Sequence, residues 1–446
     1  MKKSRSNGSV QRTLATVAIL WIILAAGVAL AAGYALGVPP WNAPDEPAHY
    51  NYVRHVATTG QLPELKPGDW NAALLERLKS TNFPKGQSVD SIAYESHQPP
   101  AFYLLATPIY NATARFPLEE QVVVLRLLSV ALSGITVVLV FLAVRSIFPE
   151  ELPLQLAVAG FVAFLPMRSA VDGSISNDAL TELVATLLLL VMVHLLRSGL
   201  RRGSAILLGL LLGVALLTKM TVYGYVPLAL LVALVSPRRG KNGDPSRLPL
   251  VGLALAIALL LSGWWFVRNG MLYGPTDIFG LQRHDQVVVG QPRFERLDAA
   301  TVGYFATTLF QSFWGQFGWM GILMDGQVYF ALKLISALAA FGFLLFLARA
   351  ALGKSPLTPH QKGSLLLMAL ALTVVLAQLI YYNLSFVQAQ GRYLFPAILP
   401  IALFFVLGLR ELMAPIHHRL LLALSVASLA LLDLVCLTRY VIPYFR

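Results

Sequence analysis

The sequence predicts an all-α integral membrane protein, a bundle of about eleven transmembrane helices. Hydrophobic residues make up 57% of its 446 residues and charged residues only 13%, and the mean hydropathy is +0.67. Apolar runs of about 20 residues recur along the whole chain, and each can cross a hydrocarbon core about 30 Å thick. Helices are expected in these runs because a helix satisfies its own backbone hydrogen bonds in lipid.

The apolar runs set the order of spans and of the polar segments between them. We expect spans at about 14–36, 122–148, 154–171, 179–200, 204–219, 222–236, 248–267, 328–350, 365–385, 394–411 and 419–444. The fifth and sixth are short and predict a tight hairpin. Residues 37–121 and 268–327 remain as two long outer segments, and the first should contain short interfacial helices. Residues 1–446 are expected to form a single polytopic domain without a large soluble C-terminal domain.

The distribution of basic residues predicts the orientation of the chain. Its net charge is +12, yet most basic residues lie between spans on one side of the predicted bundle. This asymmetry is typical of cytoplasmic loops and argues against a nucleic-acid partner. We therefore expect a multi-pass protein of the inner (plasma) membrane with a cytoplasmic N-terminus and an extracytoplasmic C-terminus. Arg239 should face the cytoplasm, whereas Asp69 and Arg283 should face outward.

Two adjacent carboxylates follow the first span. Asp45 and Glu46 precede Pro47, a pattern that predicts Asp45 as the N-cap of a helix from about Glu46 to Thr58, closed by Gly60. Capping does not explain why a second acid and His49 share one helical turn. These three side chains could also hold a divalent metal ion, although no metal or other cofactor is the leading expectation.

Other polar residues collect at the outer ends of the spans. Arg268 and Arg392 break the inward bias of positive charge, and arginine is the side chain best shaped to bind a phosphate with two parallel hydrogen bonds. Together with a carboxylate that removes a hydroxyl proton, such cations form a minimal set for glycosyl transfer. The candidate binding residues are His49, His97, Gln98, Asp178, Lys219, Arg268, Gln390, Arg392 and Tyr393.

Several short motifs resemble the GT-C superfamily of membrane glycosyltransferases, to which protein O-mannosyltransferases and the lipid A aminoarabinose transferase belong. These motifs are Asp45-Glu46 after the first span, the turn of residues 97–100, and Asn177-Asp178 at the start of the fourth span. The sequence segments 264–269, 312–314 and 390–393 more closely resemble those of a bacterial branch of multi-spanning proteins that is thought to be GT-C-like. The resemblance covers nearly the whole chain.

The resemblance implies an inverting glycosyltransferase of the cell envelope that takes a sugar from a polyprenyl-phosphate donor. It implies Asp45 as the catalytic base, with Glu46 as the competing candidate, and an extracytoplasmic glycan, lipid or protein as acceptor. Some relatives hold the donor phosphate with basic residues near the Pro-Pro turn, but this chain has His97 and Gln98 there. Arg392 or Arg268 is therefore the better candidate.

Two other functions remain open. A transporter or flippase of a polar lipid would also be a multi-spanning protein in contact with membrane lipids, although transporters usually carry ionisable groups near the middle of the membrane. Asp433 in the last span is the main such group. A polysaccharide ligase or polymerase would share the long outer segments and a lipid-phosphate substrate.

Overall fold

The computed structural model describes residues 2–237, 247–291, 293 and 298–446, with side chains from residue 16 onward. Arg239, which the sequence predicts to face the cytoplasm, lies outside the described residues. Most of the described chain is helical, and it contains one two-stranded hairpin. We call the end of the bundle that carries the two long polar segments the outer end.

The first spanning helix leads into three short helices at the outer end. These elements are α1 (Lys2–Gly37), α2 (Glu46–Thr59), α3 (Ala72–Ser80), α4 (Ala101–Ala112) and then the long spanning helix α5 (Leu118–Ile147). The expected helix after Asp45 is confirmed, since α2 starts at Glu46 and Gly60 ends it with φ 69°. Only glycine adopts this left-handed conformation without steric cost.

The next stretch contains a broken span and a short hairpin. Its helices are α6 (Leu152–Ala163), α7 (Pro166–Asp172), α8 (Asp178–Ser198), α9 (Arg202–Leu216) and α10 (Tyr225–Val235). The axes of α6 and α7 differ by 58°. The break falls at Pro166, whose ring and missing N–H interrupt a helix. The residues between α9 and α10 bring Lys219 to the outer end.

The second outer segment begins later than the sequence predicts. The elements here are α11 (Arg247–Tyr273), α12 (Leu281–Val287), α13 (Ala299–Trp314), β1 (Gln316–Phe317) and its antiparallel partner β2 (Ile322–Leu323). The predicted end of the seventh span at residue 267 is six residues short of the end of α11. Arg268 therefore lies on a helix rather than in a loop.

Four longer helices and one short one complete the bundle. They are α14 (Gly326–Ala351), α15 (Pro359–Asn383), α16 (Ile398–Glu411), α17 (His418–Val435) and α18 (Ile442–Tyr444), with a 3₁₀ helix (Gly391–Ala397) leading into α16. Glycine allows α14 and α16 to pack closely. A Cβ atom on Gly408 would lie 1.9 Å from the carbonyl oxygen of Ala339.

The described residues account for the predicted series of spans. Eight helical segments are long and apolar enough to cross a membrane, and α6 with α7 forms a ninth, bent span. The apolar helices α9 and α10 are shorter and would add two more. By length and composition these eleven segments follow the predicted order, so the chain is a multi-span helical membrane protein.

Candidate active site

A cavity of about 300 Å³ opens at the outer end of the bundle. Its polar wall comes from α2, the turn before α4, the α9–α10 connection and the start of the 3₁₀ helix, while α15 supplies an apolar wall. The lining residues are Asp45, His49, Glu95, His97, Gln98, Lys219, Met220, Thr221, Leu281, His284, Val375, Gln378, Leu379, Tyr381, Tyr382, Arg392 and Tyr393. Seven of the eleven predicted site residues therefore meet in one cavity.

Asp45 presents its carboxylate to this cavity instead of capping α2. Its φ of 65° is left-handed, and its side chain makes no hydrogen bond to the first turn of the helix, so the capping prediction is wrong. The Tyr94 hydroxyl donates to Oδ1 at 2.7 Å, and Arg392 donates to Oδ2. Burial raises the pKa of Asp45, but Arg392 above all outweighs that effect and lowers it to about 2. The side chain is 22% exposed, so a ligand can reach it.

Glu46 points away from the cavity. Nε and Nη2 of Arg126 donate to its two oxygens, each at 2.7 Å, and both side chains are almost fully buried. The backbone N–H groups of Trp41 and Ile175 also donate to it, at 2.9 and 3.1 Å. Both carboxylate oxygens of Glu46 are therefore already bound by buried groups of the protein. This position suits a structural role better than the role of catalytic base.

The opposite directions of Asp45 and Glu46 bear on the suggested metal site. Because both Glu46 oxygens are held by Arg126, Asp45, Glu46 and His49 do not converge on one point. Among the described residues, no group of three or more His, Cys, Asp or Glu side chains is arranged to hold a metal ion. The residues present do not fit the metal centre considered from the sequence.

Two cations of the cavity, Lys219 and Arg392, pair with Asp178, which does not itself line the cavity. Nζ of Lys219 lies 2.5 Å from Oδ1 of Asp178, and Nη1 of Arg392 lies 3.6 Å from Oδ2 of the same residue. Asp178 thus holds Lys219 and Arg392 side by side. It contacts these two cations and is not itself part of the cavity wall. Gln390 fixes the other edge of Arg392, because its Oε1 accepts a hydrogen bond of 2.7 Å from Nε.

The histidines of the site are uncharged at neutral pH. His97 donates from Nδ1 to the carbonyl of Tyr94 at 3.2 Å, and burial lowers its pKa to about 4. His49 shares a hydrogen bond of 2.8 Å with the Tyr103 hydroxyl, and burial lowers its pKa as well. His97 can therefore accept a hydrogen bond at Nε2 but brings no positive charge to a phosphate. Gln98 also lines this wall, and the amide of Asn177 donates to it at 3.4 Å.

Arg268 and Gln390 do not line this cavity. Arg268 donates to the carbonyls of Leu62 and Pro63 at 3.0 and 2.6 Å and lies 5.1 Å above the ring of Trp265. These contacts hold the first outer segment against α11. The position of Arg268 therefore gives no support to the phosphate role considered for it. Tyr393 does line the cavity, and the centre of its ring lies 5.4 Å from Cζ of Arg392.

Ten of the seventeen lining residues were missed from the sequence, as was Tyr94, which supports Asp45. Tyr94 binds Asp45, and Glu95 adds a half-buried carboxylate whose pKa is raised by burial. His284 comes from α12, where its ring lies 4.7 Å from that of His97, and burial lowers its pKa to about 3. Tyr382 comes from α15. Glu95 could have been found, since it stands two residues before His97, but nothing local distinguishes His284 or Tyr382.

The fold resembles solved membrane proteins of the GT-C class. The apo structure of ArnT from Cupriavidus metallidurans is 15% identical with a TM-score of 0.52, covering 92% of this chain and 61% of that one. The ArnT structure bound to undecaprenyl phosphate gives the same identity and score, covering 97% and 73%. The apo oligosaccharyltransferase of Archaeoglobus fulgidus is 13% identical with a TM-score of 0.53, covering 96% and 56%.

These similarities confirm the predicted GT-C-like architecture, and at such identities they show the fold alone. The chain spans about 60% of the length of the apo ArnT structure and little more than half of the oligosaccharyltransferase. No curated protein matched the sequence. A family model described as "Predicted membrane protein (DUF2142)" matches residues 103–402, which is well over half of the chain. The protein therefore belongs to the DUF2142 family of membrane proteins.

Proposed function

We propose that this protein is an inverting glycosyltransferase that moves a sugar from a polyprenyl-phosphate donor to an extracytoplasmic acceptor. One observation carries the proposal: a reachable carboxylate, Asp45, pairs with Arg392 and shares with it and with a second cation, Lys219, a cavity that has an apolar wall. A base and a cationic phosphate site are what glycosyl transfer from a phosphate donor requires.

The walls of the cavity suit an amphipathic donor. Leu379 and Val375 line its apolar side on α15, and Tyr381 and Leu281 are 77% and 46% exposed at its edge. The cavity thus reaches the outside of the bundle, where a polyprenyl chain could remain in lipid. The similarly folded ArnT structure bound to undecaprenyl phosphate supports this choice of donor, although it shares only 15% identity with this chain.

The proposed reaction is a single displacement. The oxygen of an acceptor hydroxyl attacks the anomeric carbon while Asp45 takes the hydroxyl proton. The bond between that carbon and the phosphate oxygen breaks, and the electron pair leaves with the polyprenyl phosphate. Lys219 and Arg392 stabilise the negative charge of the leaving group. Attack opposite to the leaving group inverts the configuration of the sugar.

The ion pair between Asp45 and Arg392 suggests how the donor prepares the base. With Arg392 as its partner, Asp45 has a pKa of about 2, and so low a pKa makes a carboxylate a weak base. A donor phosphate would compete with Asp45 for Arg392, since arginine binds phosphate with two parallel hydrogen bonds. Loss of this partner raises the pKa of Asp45 and makes it a stronger base when donor is present.

The flippase alternative depends on ionisable groups within the spans, and each of the main ones has a partner there. Asp433 accepts hydrogen bonds from Ser169 and Tyr34 at 2.6 and 3.0 Å. Arg168 lies 2.6 Å from Glu182 and 3.2 Å from Asp172. These contacts connect neighbouring helices and give the flippase no specific support, whereas the cavity with Asp45, Arg392 and Lys219 lies at the outer end.

The proposal can be tested by identifying lipid that copurifies with the protein. We expect native mass spectrometry to find a polyprenyl phosphate on the wild type and on Lys85→Ala, which removes a cation that is 92% exposed. Lys219→Ala should lose this lipid. Retention of the lipid in Lys219→Ala, or binding only of a complete glycolipid that is never used in transfer, would count against the enzyme and for the flippase.

A further inference from the structure

A second cavity, of about 590 Å³, lies beside the first at the outer end. It is formed by α13, by β1 with the turn that follows it, and by residues 387–390. Its polar lining consists of amides and hydroxyls, chiefly Tyr304, Thr307, Gln311, Gln316, Gln388 and Gln390. None of the described residues that line it carries a charge. Its volume falls within the range of about 300–1,000 Å³ typical of small-molecule sites.

Two buried polar residues fix the walls of this second cavity. Ser312 on α13 accepts a hydrogen bond of 2.8 Å from the N–H of Gly391. Asn383 holds the backbone of Gln388 from both sides, at 3.0 and 3.2 Å. A Cβ on Gly391 would lie 2.2 Å from the backbone nitrogen of Phe313, so the two walls meet at a position that only glycine allows. The cavity is therefore built into the fold.

Much of the lining has unused hydrogen-bonding capacity. Within the described residues, the side chains of Tyr304, Thr307 and Gln311 make no hydrogen bond, and Tyr304 and Thr307 are exposed. Hydroxyl and amide groups both donate and accept hydrogen bonds. Such a lining complements a ligand whose own groups do the same, and it provides no opposite charge for an ionised ligand.

Gln390 connects this cavity to the candidate base. Its Nε2 donates to Oε1 of Gln388 at 2.7 Å, and its Oε1 accepts from Nε of Arg392 at 2.7 Å. Arg392 in turn binds Asp45. A ligand in this cavity would thus lie next to Gln390, which is linked to the candidate base through Arg392.

We propose that the second cavity binds an uncharged saccharide, the carbohydrate part of the acceptor. This inference rests on the proposed function, because it identifies the class of acceptor for the reaction at Asp45. Neutral sugars carry hydroxyl groups that donate and accept, as do the amides and hydroxyls of this cavity. A uronic acid, sialic acid or phosphorylated sugar carries a negative charge, and none of the described residues lining this cavity is a cation that could pair with it.

The test compares two tryptophan substitutions on neighbouring positions of α13. Thr307→Trp fills the cavity, whereas Ala306→Trp places the same side chain at an exposed position that does not line it. The proteins, in nanodiscs, are applied to an array of immobilised neutral and acidic glycans. Copurified polyprenyl phosphate and the thermal unfolding midpoint are measured on the same samples.

We expect the wild type and Ala306→Trp to bind neutral glycans, and Thr307→Trp to bind them at least about tenfold more weakly. All three should retain the donor lipid. Preference for acidic glycans, equal binding by Thr307→Trp, or no glycan binding by a wild type that retains its donor would overturn the inference. A wild type that holds no donor lipid and transfers no sugar would instead refute the proposed function.

Discussion

The neighbouring carboxylates of Asp45 and Glu46 face two different environments. The left-handed φ of 65° at Asp45 turns its side chain toward the cavity, while Glu46 enters the first turn of α2 and meets Arg126. The sequence identified both acids but could not choose between them, because the direction of each depends on backbone torsion and on partners far along the chain. Arg392 is 347 residues from Asp45.

Substitution of Arg392 should change the pH profile of transfer. A lowered pKa keeps Asp45 ionised in the free enzyme down to about pH 2, so Asp45 should cause no acid loss of kcat/KM above pH 4. In Arg392→Gln the main cause that lowers the pKa of Asp45 is removed, while burial still raises this pKa. The acid limb of the kcat/KM profile should therefore move to higher pH. Arg392→Lys should keep the limb low but weaken donor binding, because it retains the charge and loses the paired hydrogen bonds.

Kinetic profiles and direct donor binding measure the two effects separately. Near-normal donor binding by Arg392→Ala would reject its phosphate role. An unchanged acid limb in Arg392→Gln would mean that Arg392 does not set the pKa of the catalytic base.

Substitution of Glu46 should destabilise the fold. Glu46→Gln leaves Arg126 buried without its counterion, and breaking a buried ion pair from one side typically costs about 3–5 kcal/mol. We expect a lower thermal unfolding midpoint in detergent, partly restored by the double substitution Glu46→Gln with Arg126→Met. A Glu46→Gln protein as stable as the wild type would contradict this structural role.

At the scale of elements, the sequence predicted best what local patterns determine. Proline in the first turn and Gly60 at the end gave the bounds of α2 to within one residue. The paired prolines at 99–100 likewise precede α4. The bend at Pro166 has a local cause in the proline, but hydrophobic runs alone report neither this bend nor the extension of α11 past Val267. The second cavity was also invisible, because its walls come from distant segments.

Close packing of α14 against α16 should make Gly408 intolerant of a side chain. Gly408→Ala places a methyl group against the backbone of Ala339, and overpacking of this kind typically costs about 1–3 kcal/mol. Gly263→Ala on α11 is the matched control, since a Cβ there would meet no atom within 4 Å. Thermal unfolding of both variants in detergent should show a lower midpoint for Gly408→Ala alone. Equal midpoints would mean that the two helices can separate without cost.

At the scale of the whole molecule, both long outer segments meet at one end of the bundle. Nε1 of Trp70 in the first segment donates to the carbonyl of Val289 in the second at 2.8 Å, and His284 of the second faces His97 of the first. The sequence placed these segments on one side from charge asymmetry. Which side of the membrane this is remains a prediction of the positive-inside rule.

Cysteine labelling of intact cells tests that orientation. Asp69→Cys and Arg283→Cys should react with an impermeant maleimide added outside, and Arg239→Cys should react only after permeabilisation. The one native cysteine, Cys436, is buried and should give little background. External labelling of Arg239→Cys would reverse the orientation and place the candidate site in the cytoplasm.

The transfer rate of Asp45→Asn tests whether Asp45 is the catalytic base. Asparagine tolerates the left-handed conformation at this position and keeps the shape of the side chain, but it cannot take up a proton. We predict a folded protein, because Asp178 still lies 3.6 Å from Arg392, with retained donor lipid and transfer reduced by about 10²–10⁴-fold. Transfer at the wild-type rate by Asp45→Asn would contradict the account. If a stably folded Glu46→Gln were then inactive, Glu46 would be the base, and if both variants were active, the outer-end carboxylates would have no catalytic role.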